Sequence, residues 1–303
     1  MKSSNIGGQA VMEGVMMRNA DKYAVAVRKT DGEIVVKTEE YKGIVQNKKI
    51  RSLPIIRGVF SFIDSMVLGM STLTYSASFF MDEEEEEKDE KKESVMMGLT
   101  IACSVVMAVA IFMILPYFLS QLFRKFTDST TLITLLEGAV RLVIFFGYIL
   151  LISRMKDIQR VFMYHGAEHK CINCIEHGME LNVENVLKSS RLHKRCGTSF
   201  LFIVMIVSII FFLFIRIESP IWRVVFRLLL IPVIAGVSFE FIRLAAKSEN
   251  KLVILLSKPG MMLQKLTTRE PDASMAEVAI ASVEAVFDWR AYLKENFGWQ
   301  EKV

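Results

Sequence analysis

Phe200-Leu201-Phe202-Ile203-Val204-Met205-Ile206-Val207-Ser208-Ile209-Ile210-Phe211-Phe212-Leu213-Phe214-Ile215 runs without a charge, and a second apolar run, Ile221 to Ala245, follows after only Arg216 to Pro220. About 20 apolar residues in a helix cross roughly 30 Å of hydrocarbon, so this pair predicts a membrane helical hairpin. Working outward, Leu132 to Ile152 and Val95 to Phe123 predict two further spans, with Pro116 tolerable near the end of the latter. The composition agrees: 52% of the 303 residues are apolar, with 21 Phe and 18 Met, and the mean hydropathy is +0.36. A net charge of +4 is too small to suggest a nucleic-acid partner. The amino terminus is polar and lacks the charged-then-apolar pattern of a leader.

The expected class is therefore mainly α, a polytopic membrane helical bundle with a small N-terminal β-containing cytoplasmic region. Residues 1–53 supply that region: Tyr23 to Arg28 and Glu33 to Thr38 alternate about Asp31-Gly32, which predicts a β-hairpin. Before it, the glycines of Gly7-Gly8-Gln9-Ala10-Val11-Met12-Glu13-Gly14 read as close backbone approach or positive φ, or as an ordinary glycine-rich turn. Residues 54–81 are long and apolar enough to span but carry Arg57, Asp64 and many hydroxyls. Residues 82–94, with five consecutive acids from Glu83 to Glu87, read as an exposed linker. Residues 95–246 hold the four spans around a loop at 154–198, and 247–303 form an amphipathic helical tail. There Val278, Ala281, Val283, Val286 and Trp289 are the expected packing face.

Charge orients the chain. The loop carries Arg154, Lys156, Arg160, Lys170, Lys188, Arg191, Lys194 and Arg195, and the tail adds Lys247, Lys251, Lys258, Lys265 and Arg269. The positive-inside rule places both in the cytoplasm of a multi-pass cell-membrane protein. Eleven Lys and Arg lie between the first residue and Arg57. They oppose export of the amino terminus, so 54–81 is expected to be interfacial or re-entrant, with a five-span arrangement as the alternative.

All four histidines and three of the four cysteines lie between 165 and 196. Soft and borderline donors at this density predict a transition-metal site, zinc first among the candidates. In His165-Gly166-Ala167-Glu168-His169 a helix places the two histidines four apart on one face, with Glu168 as general base for a metal-activated water. This is the inverted zincin order, with a third ligand from Glu176, His193 or Cys196. A competing reading pairs Cys171-x-x-Cys174 with His193-x-x-Cys196 as a closed zinc ribbon. It is opposed by the helical look of Val183 to Leu192. The plainest alternative is a loop that holds no ion. The three clustered cysteines disfavour a disulfide framework, and Cys103 reads as a small apolar residue within a span. Glu137 and Arg141 predict either an intrahelical ion pair or a polar path, and Arg227, Glu240 and Arg243 raise the same question in the last span, where Glu240 and Arg243 could approach the metal segment.

Four stretches carry a resemblance: Gly7 to Arg18, Tyr164 to Lys170, Arg195-Cys196-Gly197-Thr198-Ser199-Phe200 and Leu266-Thr267-Thr268-Arg269-Glu270-Pro271. They resemble the YqhQ-like family, bacterial membrane proteins described as predicted metal-dependent enzymes, along nearly the whole chain. The resemblance implies His165, Glu168, His169, His193 and Cys196 as the candidate site. The resulting expectation is a metal-dependent hydrolase with Glu168 catalytic, Zn2+ or another transition metal on His165, His169, His193 and Cys196, and a peptide, lipid or protein substrate or partner. The alternative is a membrane scaffold or assembly factor with a structural zinc site. A transporter is a third expectation, weakened by the lack of internal repeats.

Overall fold

The computed structural model describes residues 2–80, 90–215, 217, 219–247 and 250–300. The acidic run expected as a linker falls mostly outside these residues, and helix already begins at Glu90.

The amino-terminal region is a four-stranded antiparallel meander rather than a lone hairpin: β1 (Gly7–Val11), β2 (Gly14–Asn19), β3 (Lys22–Arg28) and β4 (Ile34–Glu40) pair in sequence order. The β3–β4 hairpin falls where alternation predicts it. The other two strands are hidden in sequence because glycine is a poor strand former. Gly8 and Gly14 serve close approach, not positive φ. A Cβ on Gly8 would lie 2.7 Å from the Met16 carbonyl, and one on Gly14 would collide with the Ala26 carbonyl. Glu13 and Ala20 instead take φ of 49° and 54° in the two tight turns.

Both faces of the sheet are covered. Side chains alternate along a strand, so Val15, Met17, Ala24 and Ala26 enter the main core while Val11, Met16, Val25 and Val27 enter a second. The main core is closed by α6 (Lys156–Glu176) and α11 (Ala273–Val286). α11 is capped by the Asp272 carboxylate, which accepts from Met275 N–H at 2.9 Å. Val278, Val283, Val286 and Trp289 are buried as the spacing predicts, and Ala281 is half-buried. The helix breaks at Phe287–Asp288, and α12 (Trp289–Phe297) follows. The second face receives Leu68 of α2 (Ile56–Ala77), a continuous helix preceded by the short α1 (Lys48–Ser52).

Five helices among the described residues are long and apolar enough to cross a membrane: Ile56–Phe80, Gly98–Lys125, Thr130–Ile152, Gly197–Phe214 and Ile221–Ala245. They mark a mainly helical membrane protein. The second comprises α3 (Glu90–Val109), a π-helical turn at Ala110–Ile114 and α4 (Leu115–Gln121). The π turn lies just ahead of Pro116, whose ring and missing N–H disrupt regular helix. α5 (Thr130–Ile152), α8 (Gly197–Phe214) and α9 (Pro220–Lys247) form the packed bundle. Inside it, Glu137 receives both terminal nitrogens of Arg227, at 2.6 and 2.9 Å, and Nη2 of Arg141 at 2.9 Å. Arg141 also donates to Ser208 Oγ at 3.0 Å. The ion pair thus ties three helices together. Glu240 does not reach the metal segment; it pairs with Arg57 of α2. The remaining helices are α7 (Val183–Lys188), which matches the short helix expected before His193, and α10 (Lys251–Thr267).

Candidate metal centre

α6 carries His165 and His169 on one face, with ring centroids 4.4 Å apart. The connection from α7 returns Cys196 to them, its Sγ 3.3 Å from His165 Nε2. Among the described residues, the ligand atoms of His165, His169 and Cys196 all lie within 4.8 Å of one another.

Backbone carbonyls orient both rings. His165 Nδ1 lies 2.9 Å from the Thr267 carbonyl and His169 Nδ1 lies 2.6 Å from that of Arg191. A carbonyl only accepts, so Nδ1 of each ring is the donor and Nε2 is turned toward the group, that of His165 onto Cys196 Sγ. His169 Nε2 is buried and has no hydrogen-bond partner. Cys196 is the N-cap of α8 and accepts from Thr198 N–H at 3.4 Å. The sulfur therefore sits at a helix N-terminus, where negative charge is stabilised. Two imidazoles and a sulfur are donors that could hold a transition-metal ion.

Glu168 is buried beside these groups. Burial pushes its carboxyl up to about 7, against the pull of nearby His165 and a hydrogen bond from the Gly8 backbone. A Cβ on Gly8 would come within 2.8 Å of Glu168 Cγ, so the amino-terminal glycines let β1 close over the acid.

The structure brings together His165, His169 and Cys196 with Glu168 alongside. His193 stands next to the group, its ring 5.7 Å from that of His169, but its Nε2 faces Glu176 Oε2 at 3.4 Å. Burial lowers the His193 pKa and the Glu176 contact opposes this. Burial would raise the Glu176 carboxyl. His193, Arg195 and the Ser4 N–H, which donates at 2.7 Å, together bring it below its ordinary value. Cys171 and Cys174 lie in the main core and do not join Cys196, so no ribbon forms. Burial pushes the Cys174 thiol up to about 12, and that of Cys171 well above its ordinary value. His177 is turned onto the Asn173 carbonyl at 2.7 Å.

Several supporting residues carry no sequence signal of metal binding. Gln264 accepts from His193 N–H at 2.8 Å and donates to the His193 carbonyl at 2.7 Å and Ser199 Oγ at 2.8 Å. Lys170 donates to the carbonyls of Leu187 and Ser189, and Asn173 to those of Ser190 and Leu192. These bonds hold the segment that delivers the Arg191 carbonyl and Cys196. The chain after α10 crosses α6 at Gly166, where Arg269 N–H donates to the Phe162 carbonyl at 2.8 Å. The stretches around Gly7, His165, Cys196 and Leu266 thus converge on one place.

Residues 53–289 match the model of DUF1385, a protein family of unknown function. The chain belongs to the DUF1385 family. It is 36% identical over 301 residues to the uncharacterized protein YqhQ of Bacillus subtilis (strain 168), covering 96% of this chain and 94% of that one. No solved structure matches. The DUF1385 match includes every ligand candidate but not β1.

Proposed function

We propose that this DUF1385 protein is a membrane-embedded, metal-dependent hydrolase. His165, His169 and Cys196 would hold the ion and Glu168 would serve as general base. The observation that carries this reading is the buried, unpartnered His169 Nε2 directed at a second oriented imidazole and a thiol. A bound divalent ion would lower the pKa of a water toward neutrality. Glu168 would accept the proton of an attacking water and return it to the leaving group. Zinc suits the nitrogen and sulfur donors best. A structural scaffold site would call for a fourth protein ligand, and His193 is engaged by Glu176.

The site would face the cytoplasm. The basic residues of 154–198 and of the tail support that side. The sheet packs on the carboxyl half of α2 through Leu68, and Met12 N–H donates to Ser76 Oγ at 3.1 Å. Sequence before and after the middle of α2 thus meets on one side, which supports α2 as an interfacial helix and four spans in all.

Elemental analysis of the purified protein tests the centre. Wild type is expected to hold one ion per chain, H165A and C196A to lose it, and C171A and E168Q to keep it. Wild type without stoichiometric metal, or metal retained by both H165A and C196A, overturns the proposal.

A further inference from the structure

Beside the candidate centre lies a cavity of about 900 Å³, at the upper end of the range for small-molecule sites. Its walls are of two kinds. Its polar lining includes His165, Glu168 and Cys196 with Asn5, Gln9 and Thr198. Its apolar lining includes Phe62 and Leu68 of α2, Phe200 and Leu201 of α8 and Phe239 and Ile242 of α9. The Phe62 and Phe200 rings lie 5.6 Å apart. These six apolar residues come from helices long and apolar enough to cross a membrane, and Met16 of the sheet with Val161 and Phe162 of α6 add to the apolar lining. α2 also turns an apolar stripe outward, with Ile56, Ile63, Met66, Val67, Met70 and Leu73 exposed. These positions share one face of a helix, as expected of a helix lying in the bilayer surface.

We propose that this cavity takes one acyl chain of a membrane glycerolipid and places its ester carbonyl at the His165–His169–Cys196 group. A soluble peptide would leave the six apolar wall residues unmatched. A lipid already resident in the bilayer fills them with its chain and keeps its head group against the polar residues. The inference rests on the hydrolase reading for its chemistry, not for its binding step. Hydrolysis there adds one water across the ester. The water oxygen bonds the carbonyl carbon and the bond to the glycerol oxygen breaks. One water proton travels through Glu168 to that oxygen, and the other remains with the fatty acid. The products are a free fatty acid and a lysolipid.

The test uses the full-length protein in nanodiscs of phosphatidylcholine and phosphatidylglycerol, spiked with phosphatidylglycerol that carries a diazirine near the ester end of one acyl chain. After photolysis, peptide mass spectrometry reads the labelled positions, and metal content is measured on the same samples. Label is expected on Phe62 or Leu201, and it should fall by about tenfold, the equivalent of one good contact, in both Ser65→Trp and Ile242→Trp, which fill the cavity. Label at outward-facing Leu229 should not change. Two variants guard against misfolding of either, since a folded one still reports. Equal labelling at Phe62, Leu201 and Leu229, unchanged in the folded variants, overturns the lipid assignment even where metal is bound. Cavity labelling without any metal upholds the lipid site and overturns the hydrolase reading alone.

Discussion

At Gly166 one added methyl group would run into the main-chain carbonyl of Arg269. That contact is backbone on both sides, so neither partner can turn away. Gly166→Ala is expected to push the 267–271 segment off α6 and lower stability by about 1–3 kcal/mol, as overpacking does. The Thr267 carbonyl that orients His165 would move with it. A thermal melt in detergent together with metal content checks this; a variant with unchanged melting and full metal would contradict the packing argument. Glu168 and Gly8 form a second tight pair, in which the absence of a side chain on one residue makes room for the carboxylate of the other.

At the scale of elements, α10 holds the His193–Ser199 segment through one side chain. Gln264 is buried and makes three hydrogen bonds to it. Gln264→Ala leaves the His193 N–H and carbonyl without those partners, at a cost of about 1–3 kcal/mol for a buried unpaired group. It also loosens the approach to Cys196. Supporting residues of this kind typically change metal affinity by about 10–100-fold, and competition with a chelator should show a loss in that range. Affinity equal to wild type would mean that the Cys196 position does not depend on α10. In the same way α2 is defined by what covers it. Its carboxyl half is a wall of the sheet's second core, and its amino half meets α9, where Gly58 opposes Gly236 and Arg57 pairs with Glu240.

For the whole molecule, the sheet, α6 and α11 form one core, and the bundle of α5, α8 and α9 forms another body joined to it at the site. The buried Glu137–Arg141–Arg227 group anchors the bundle at a point 12 residues along α8 from Cys196. If the core lies on the cytoplasmic side, as proposed, fusions should show a fluorescent protein folding after residue 45 and again after residue 92, and alkaline phosphatase active after residue 127. Phosphatase activity after residue 45 would establish five crossings and place the sheet outside.

Much of this was open to reading along the chain. The apolar runs are long because hydrocarbon demands about 20 residues per helix, so the spans appear directly in sequence. His165 and His169 are four apart because a helix brings such positions to one face, and the β3–β4 hairpin shows in its alternation and its Asp31-Gly32 turn. Strands β1 and β2 did not show, because their glycines answer to Met16, Ala26 and Glu168 rather than to strand propensity. That Cys196 lies with the two histidines while His193 faces Glu176 was equally hidden. Both lie on the same returning segment, and only the packing of Glu176 beneath His193 turns that ring away. The sequence by itself determined the membrane class, the helical face and the donor types, since these follow from local period and composition. Tertiary structure alone decided which donors meet, which carbonyls set their tautomers and that an apolar cavity opens beside them, because each depends on contacts between residues tens to hundreds of positions apart.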